Sequence, residues 1–170
     1  MADLIVSGGT VITMDRGRRV IPDGAVAVSG GSIAAVGSRA EVEAAHAAPK
    51  RIDARGKAIL PGLIDGHAHA GHGLVKTMGS GDSEAWSEAC RVIYTLASPP
   101  SFWRAEAALA GLELLKFGVT TSVMLLGGGD SIGRVDDTAH GDAHVDGING
   151  IGIRRIMVLG PTRPPFPRPY

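Results

Sequence analysis

Only one cysteine, Cys90, occurs in the 170-residue sequence, which excludes an internal disulfide bond. A lone cysteine favours a reducing, cytoplasmic setting. No apolar run reaches the roughly 18 residues that a membrane helix needs, and residues 1–6 lack the basic and apolar regions of a secretion signal. Seventeen basic residues balance seventeen acidic ones, so no excess charge favours nucleic acid or a membrane surface as a partner. Zero net charge instead favours association with another protein, because little electrostatic repulsion opposes it.

Short β-branched runs fill the first 57 residues. Gly or Asp clusters separate these runs, which occupy residues 4–6, 10–13, 25–28 and 32–36. The pattern predicts β-hairpins, with a turn at Ser29, Gly30 and Gly31. Residues 41–48 are rich in alanine and predict a short helix that ends before Pro49. We therefore interpret residues 1–57 as a small β-sandwich lobe.

Residues 58–160 alternate between apolar runs and helical periodicity. The apolar runs predict strands at residues 62–66, 119–126 and 154–160, the first of them buried on both faces of its sheet. Apolar residues at helical spacing predict a helix at 105–117, which Gly118 terminates, and a weaker one at 142–152. This βαβαβ order predicts an α/β fold with a parallel sheet, as in the N-terminal part of a (β/α)₈ TIM barrel.

The predicted strands are too few to close such a barrel. A TIM barrel has eight strands and typically about 250 residues, whereas this region supplies about three strands. Residues 161–170 contain five prolines and predict a tail rather than a helix or a central strand. We therefore expect another chain to complete the barrel.

Two histidines follow the first barrel strand, in residues 60–69, which read LPGLIDGHAH. Side chains at positions i and i+2 of a strand point to the same face, so His67 and His69 are expected to converge. Active sites of these barrels lie at the carboxyl end of the strands. Neutral imidazole binds first-row metals, most often Zn²⁺, with Fe²⁺ or Mn²⁺ as alternatives. We predict that His67 and His69 bind a divalent metal, which lowers the pKa of a bound water.

Three segments together resemble the amidohydrolase superfamily. They are residues 60–69, residues 4–11 (LIVSGGTV) and residues 114–121 (LLKFGVTT), which are similar to its first barrel strand, its N-terminal lobe and its junction between helix 1 and strand 2. The pattern is similar to the branch that includes cytosine, guanine and adenosine-type deaminases and triazine hydrolases. The resemblance implies metal-dependent hydrolysis of a C–N bond in an amide, a cyclic amide or an amino-substituted heterocycle.

The same resemblance implies residues that this chain lacks. The family takes further histidine ligands from strands 5 and 6 and an aspartate, both ligand and general base, from strand 8. Some branches add a carboxylated lysine or a glutamate on strand 4. Two histidines leave a catalytic zinc one short of its usual three protein ligands. We therefore expect the isolated chain to bind metal weakly and to catalyse poorly.

Several other residues are candidates for a role in the site, and each also has a purely structural interpretation. Asp65 is expected either to orient a histidine ligand or to bond the backbone at the strand end. His72, Trp86 and Gly128 are candidate substrate contacts, and their alternatives are an exposed loop, a packed side chain and a flexible turn. His140 and His144 have i, i+4 spacing, but their polar surroundings favour a surface loop over a metal site. Cys90 has no basic neighbour and is expected to be inert.

Three hypotheses account for a partial barrel with an intact histidine pair. In the first, a complementary subunit supplies strands 4–8 and the two chains form a hetero-oligomer that acts on a small molecule. In the second, the chain is a fragment of a full-length amidohydrolase. In the third, it is a non-catalytic structural subunit, which the retention of His67 and His69 argues against.

Overall fold

The structure, a computed structural model, describes residues 1–69, 72–94, 98–128, 131–132 and 138–158. The chain divides into two compact units, Met1–Pro61 and the part from Gly62 onward. Among the described helices, none is both long and apolar enough to cross a membrane.

The first unit is a sheet with one helix. Its elements in chain order are β1 (Leu4–Ile12), β2 (Val20–Ser29), β3 (Ser32–Ser38), α1 (Arg39–Ala45), β4 (Lys50–Asp53) and β5 (Ala58–Ile59). Within the described residues the strand order is β3-β2-β1-β4, and β5 also pairs with β1. The strands β1, β2 and β3 are antiparallel, whereas β4 and β5 run parallel to β1. This unit supplies one of the two layers that a sandwich requires.

Local chemistry explains the boundaries in this unit. Gly30 and Gly31 both have positive φ, 57° and 76°, so they form the predicted tight turn between β2 and β3. Helix α1 begins two residues before the predicted start, because Ser38 and Glu41 form a reciprocal capping box. The core contains Ile5, Ala27 and Val42, which are buried against one another.

The second unit has the predicted β-then-α order. Its elements are β6 (Leu63–His69), α2 (Ser83–Val92), α3 (Pro100–Lys116), β7 (Val119–Leu125), β8 (Gly127–Gly128), β9 (Ser131–Ile132), α4 (Ala139–Ile151) and β10 (Arg154–Val158). Strands β6, β7 and β10 form a parallel sheet in the order β10-β7-β6. The first unit and this sheet together have the α/β architecture of a partial barrel with a small sheet lobe.

Helix α3 is longer than the sequence pattern predicts. Pro100 occupies its first turn, where a missing backbone N–H costs nothing, so Phe102 and Trp103 are helical as well. The helix ends as predicted, since Gly118 has a φ of 85°. Its buried face carries Trp103, Glu106, Ala107 and Gly111.

Helices α3 and α4 pack closely through small residues. A Cβ on Gly147 would lie 2.3 Å from the carbonyl oxygen of Arg104, so only glycine fits this crossing point. Ala107, Met124, Ile148 and Ile153 form the core between these helices and the sheet.

The prediction that β6 is buried on both faces is wrong for this chain on its own. Leu63 and Ile64 are 54% and 76% exposed, and Ile156 on β10 is 57% exposed. The physical reason is the strand order, since β7 lies in the centre of the described sheet and leaves β6 and β10 as edges. Within this described part of the chain, both edges lack the neighbour that would cover these side chains.

Candidate functional site

His67 and His69 converge at the carboxyl end of β6. Their Nε2 atoms lie 2.9 Å apart, and their ring centroids are 4.8 Å apart with planes inclined by 65°. Two imidazole nitrogens this close together could both bind one zinc ion, at about 2.0–2.1 Å each. Within the described ranges, no group of three His, Cys, Asp or Glu side chains could hold a metal ion. If the pair binds a metal, further ligands must come from outside the described residues.

Asp65 supports the histidine pair through the backbone. Its Oδ1 accepts a hydrogen bond from the backbone N–H of His67 at 3.0 Å. The pairing of β6 with β7 shifts register between Asp65 and Ala68, which interrupts the regular alternation of side chains. Of its two expected roles, the structure places Asp65 in the second, where the carboxylate fixes the strand end.

His72 belongs to an aromatic cluster rather than to an exposed loop. Its ring stacks on His69, with centroids 5.2 Å and planes 6° apart, and on Tyr94, with centroids 5.6 Å and planes 14° apart. The ring of Trp86 meets His72 edge to face at 5.2 Å. Burial, and then the neighbouring His69, lower the pKa of His72 below its ordinary value. The structure thus brings one predicted substrate contact, His72, next to His69, and the other, Trp86, next to His72.

Glu106 is a residue of this region that the sequence interpretation missed. It lies on α3 with no exposed surface, and its carboxylate accepts hydrogen bonds from the backbone N–H groups of Gly73 and Leu74. Burial raises the pKa of Glu106, although the two backbone N–H groups oppose this rise. Its spacing in the sequence could have indicated burial, because Glu106 lies three residues after Trp103 and four before Ala110, on the apolar side of the helix.

A cavity of about 440 Å³ opens beside the histidines. His69 and His72 line it together with apolar side chains of α3 and β6, which include Ala68, Ala110 and Leu114. Lys76 and Glu113 also line the cavity and form an ion pair. Its apolar walls and few polar groups are typical of small-molecule sites.

The remaining candidates lie elsewhere in the second unit. Gly128 is in β8 and pairs with Ser131, and the neighbouring residues 129–130 of the predicted loop lie outside the described residues. The expectation of a surface loop at His140 and His144 is wrong. Both are buried on α4, because i, i+4 spacing aligns them with the core residue Ile148.

His140 and Cys90 are both buried in the second unit. The Nε2 atom of His140 lies 3.2 Å from the carbonyl oxygen of Ser98, which identifies His140 as a core residue that bonds a neighbouring loop. Cys90 is buried, and this burial raises the pKa of its thiol, as expected for an unreactive cysteine.

Comparisons with known proteins identify relatives of this chain. Residues 24–48 match the model of the bacterial imidazolonepropionase-like composite domain. The chain is 31% identical over 173 aligned residues to the 5-methylthioadenosine/S-adenosylhomocysteine deaminase of Symbiobacterium thermophilum. That alignment covers 94% of this chain but 35% of the deaminase.

Two solved structures share the fold. Atrazine chlorohydrolase TrzN from Arthrobacter aurescens TC1, in complex with zinc, superposes with a TM-score of 0.72 at 25% identity, over 92% of this chain and 35% of that one. An adenosine deaminase from Xanthomonas campestris with bound zinc superposes with a TM-score of 0.72 at 24% identity, over 91% of this chain and 33% of that one. The chain thus spans about a third of the length of the proteins that it matches.

Proposed function

Since this chain belongs to the amidohydrolase superfamily and corresponds to its N-terminal portion, we propose that it is part of a metal-dependent hydrolase in which His67 and His69 bind zinc. The observation that carries this proposal is the convergence of their Nε2 atoms to 2.9 Å at the end of β6. Zinc bound in this way would provide an activated water near neutral pH.

Each residue of this region has a task in the proposed site. The Asp65 carboxylate holds the His67 backbone at the strand end, and the stacked His72 ring limits rotation of His69. His72 and Trp86 are the proposed substrate contacts, with His72 acting through the edge of its ring because His69 and Tyr94 stack on its faces. Gly128 would let a second loop approach the substrate closely. The partly apolar cavity offers space for a small substrate beside His69.

The substrate we propose is an amino-substituted nitrogen heterocycle, which loses ammonia by hydrolysis of a C–N bond. The two relatives named above that carry a deaminase name act on adenosine-type molecules, and the third acts on a triazine. Aromatic rings beside the histidine pair suit such planar substrates. A cytoplasmic location suits the single buried cysteine.

We further propose that a complementary chain supplies barrel strands 4–8, the missing ligands and the general base. The exposed Ile64 on β6 and Ile156 on β10 support this proposal, because apolar sheet edges need a cover. Such an interface would be large and obligate, and the assembly would be a hetero-oligomer. In the alternative, the missing strands belong to the same polypeptide and the site chemistry is identical.

One experiment tests the metal site. We expect the assembled protein to lose zinc and turnover when His67 or His69 is replaced by alanine, as measured by elemental analysis and by ammonia release from a panel of amino-heterocycles, cyclic amides and ureas. His46→Ala is the matched control, because His46 lies in the first unit, at the end of α1. Retention of zinc and turnover in both site variants would remove the proposed function.

A second experiment tests the complementary chain. Genes adjacent to that of this chain are searched for strands 4–8 with the missing histidines and aspartate, and the two products are co-expressed with an affinity tag on this chain alone. Recovery of a zinc-containing complex supports the split enzyme. Absence of any complementary sequence contradicts it.

A further inference from the structure

Glu106 is a fully buried carboxylate whose hydrogen bonds point to the segment that follows β6. Buried acidic side chains are rare unless their charge is compensated. Here two consecutive backbone N–H groups, those of Gly73 and Leu74, donate to the two carboxylate oxygens, with 2.7 Å between Leu74 N and Oε2. Consecutive backbone amides form a natural anion-binding turn. The carboxylate therefore links α3 to one short segment of backbone.

Gly73 is fitted to this contact. A Cβ at this position would lie 2.9 Å from Oε1 of Glu106 and 3.3 Å from Cδ2 of Leu109. Any other residue would push the backbone away from the carboxylate or displace the Glu106 side chain. The glycine and the glutamate are therefore two halves of one contact.

The segment held in this way begins next to the histidine cluster. His72 precedes Gly73 directly, and its ring lies between the rings of His69 and Tyr94. The carboxylate fixes the backbone on one side of His72, and the two stacked rings fix its side chain. Movement of the Gly73 backbone would consequently move a ring that is in contact with His69.

We infer that Glu106 is a positioning residue, which holds the His72 segment through Gly73 and Leu74 and so keeps the His69 ring oriented for metal binding. The inference rests on the proposed function, since it takes His69 as a ligand. Residues that orient a metal ligand indirectly commonly change metal affinity by about 10–100-fold when they are replaced. We expect an effect at the lower end, about tenfold, because Glu106 acts through an intermediate residue.

The test compares Glu106→Gln with two controls in the assembled protein. Glutamine keeps the size of the side chain but presents an NH₂ group to one of the two backbone donors, so one hydrogen bond is lost. Ile148→Val lowers stability at the α3–α4 interface without touching the His72 segment, and Glu88→Gln removes an exposed carboxylate that pairs with Arg91. Zinc affinity is measured by competition with a chelator, and exchange of the Gly73 and Leu74 amide protons by NMR.

We expect Glu106→Gln to bind zinc about tenfold more weakly and to exchange these two amides faster. Both controls should bind zinc as the wild type does. Ile148→Val should do so even where its melting temperature falls as much as that of Glu106→Gln. Zinc affinity within twofold of the wild type in a folded Glu106→Gln protein would overturn the inference. If that variant does not fold, Gly73→Ala disturbs the same contact from the backbone side and should also weaken zinc binding. Unchanged zinc affinity in Gly73→Ala would then overturn the inference.

His69→Ala separates this inference from the proposed function. Loss of zinc in His69→Ala with normal affinity in Glu106→Gln removes only the positioning role. Normal affinity in His67→Ala and His69→Ala removes the metal site itself, and with it the basis of the inference. Unprotected Gly73 and Leu74 amides in the wild-type protein would overturn the positioning role without any variant.

Discussion

The imidazole of His72 stacks on that of His69 with their planes 6° apart, so the ring of the proposed metal ligand His69 is supported by the ring of His72. We expect His72→Phe to keep this stack and to bind zinc nearly as the wild type does. His72→Ala removes it and should weaken zinc binding about 2–10-fold, the equivalent of one aromatic contact of about 0.5–1.5 kcal/mol. Isothermal titration of the assembled protein with zinc measures both. Equal affinity in the alanine and phenylalanine variants would contradict this role of the stack.

Gly147 on α4 is predicted to tolerate no side chain. Because its Cβ would lie 2.3 Å from a carbonyl oxygen of α3, Gly147→Ala should force the helices apart and lower the free energy of unfolding by about 1–3 kcal/mol. Gly150 on the same helix is the matched control, since a Cβ there would meet none of the described residues of other elements within 4 Å. Gly150→Ala should be neutral or stabilise the protein by up to about 1 kcal/mol. Urea unfolding distinguishes the two, and a more stable Gly147→Ala protein would show that the crossing is looser than described.

Ile156 on the edge strand β10 is predicted to contribute to assembly. Ile156→Thr keeps a β-branched residue in the strand but removes apolar surface, so association with the complementary chain should weaken by about 1.5–3 kcal/mol. The same change should reduce self-association of the chain when it is expressed alone, as light scattering would detect. Val20→Thr, at an exposed position of the first unit, is the control. The prediction fails if Val20→Thr weakens the complex more than Ile156→Thr does.

Glu106 is predicted to make stability fall as the pH rises above the ordinary pKa of a glutamate. Burial, and then the nearby Glu113, raise the pKa of Glu106, while the Leu74 and Gly73 amides and Lys76 lower it, with a net rise. The folded protein therefore binds this proton more tightly than the unfolded chain does. Its contribution to stability declines as the pH rises from about 4.3, the ordinary glutamate value, to the raised pKa, and is constant above it.

Comparison with Glu106→Gln isolates this contribution. The difference in unfolding free energy between the wild type and the variant should become less favourable to the wild type as the pH rises through that window. Denaturant unfolding at intervals between about pH 4 and pH 7 measures it. A difference that stays flat, or that moves in favour of the wild type, would mean that the pKa of Glu106 is not raised.

The sequence predicts the second unit best where apolar runs meet glycine. Four elements lie close to their predicted positions, namely α3, which ends before Gly118, the strand β7 after it, α4 and β10. Local chemistry decides these features, since a left-handed glycine ends a helix wherever it occurs. The convergence of His67 and His69 agrees with the two-residue period of a strand, although the register of β6 shifts between Asp65 and Ala68.

Other features depend on contacts that are distant in sequence. The partners of Glu106 lie 33 and 32 residues away, so its burial could be suspected from helical spacing but not explained. His140 and His144 lie in a polar stretch that favours a loop, and only their alignment with Ile148 indicates a buried helix face. The exposure of Ile64 was not predictable from its own strand, because exposure depends on which strand lies beside it.

The position of β1 in the first sheet has a consequence for the order of folding. One side of β1 pairs with β2 across a short connection, whereas the other side pairs with β4, where Leu4 lies opposite Lys50. Closing the longer loop costs more chain entropy, and parallel pairing is slower to form than a hairpin. The strands β1, β2 and β3 should therefore assemble first and serve as a template for β4 and β5. The first strand of the chain is thus among the first to pair and among the last to be enclosed.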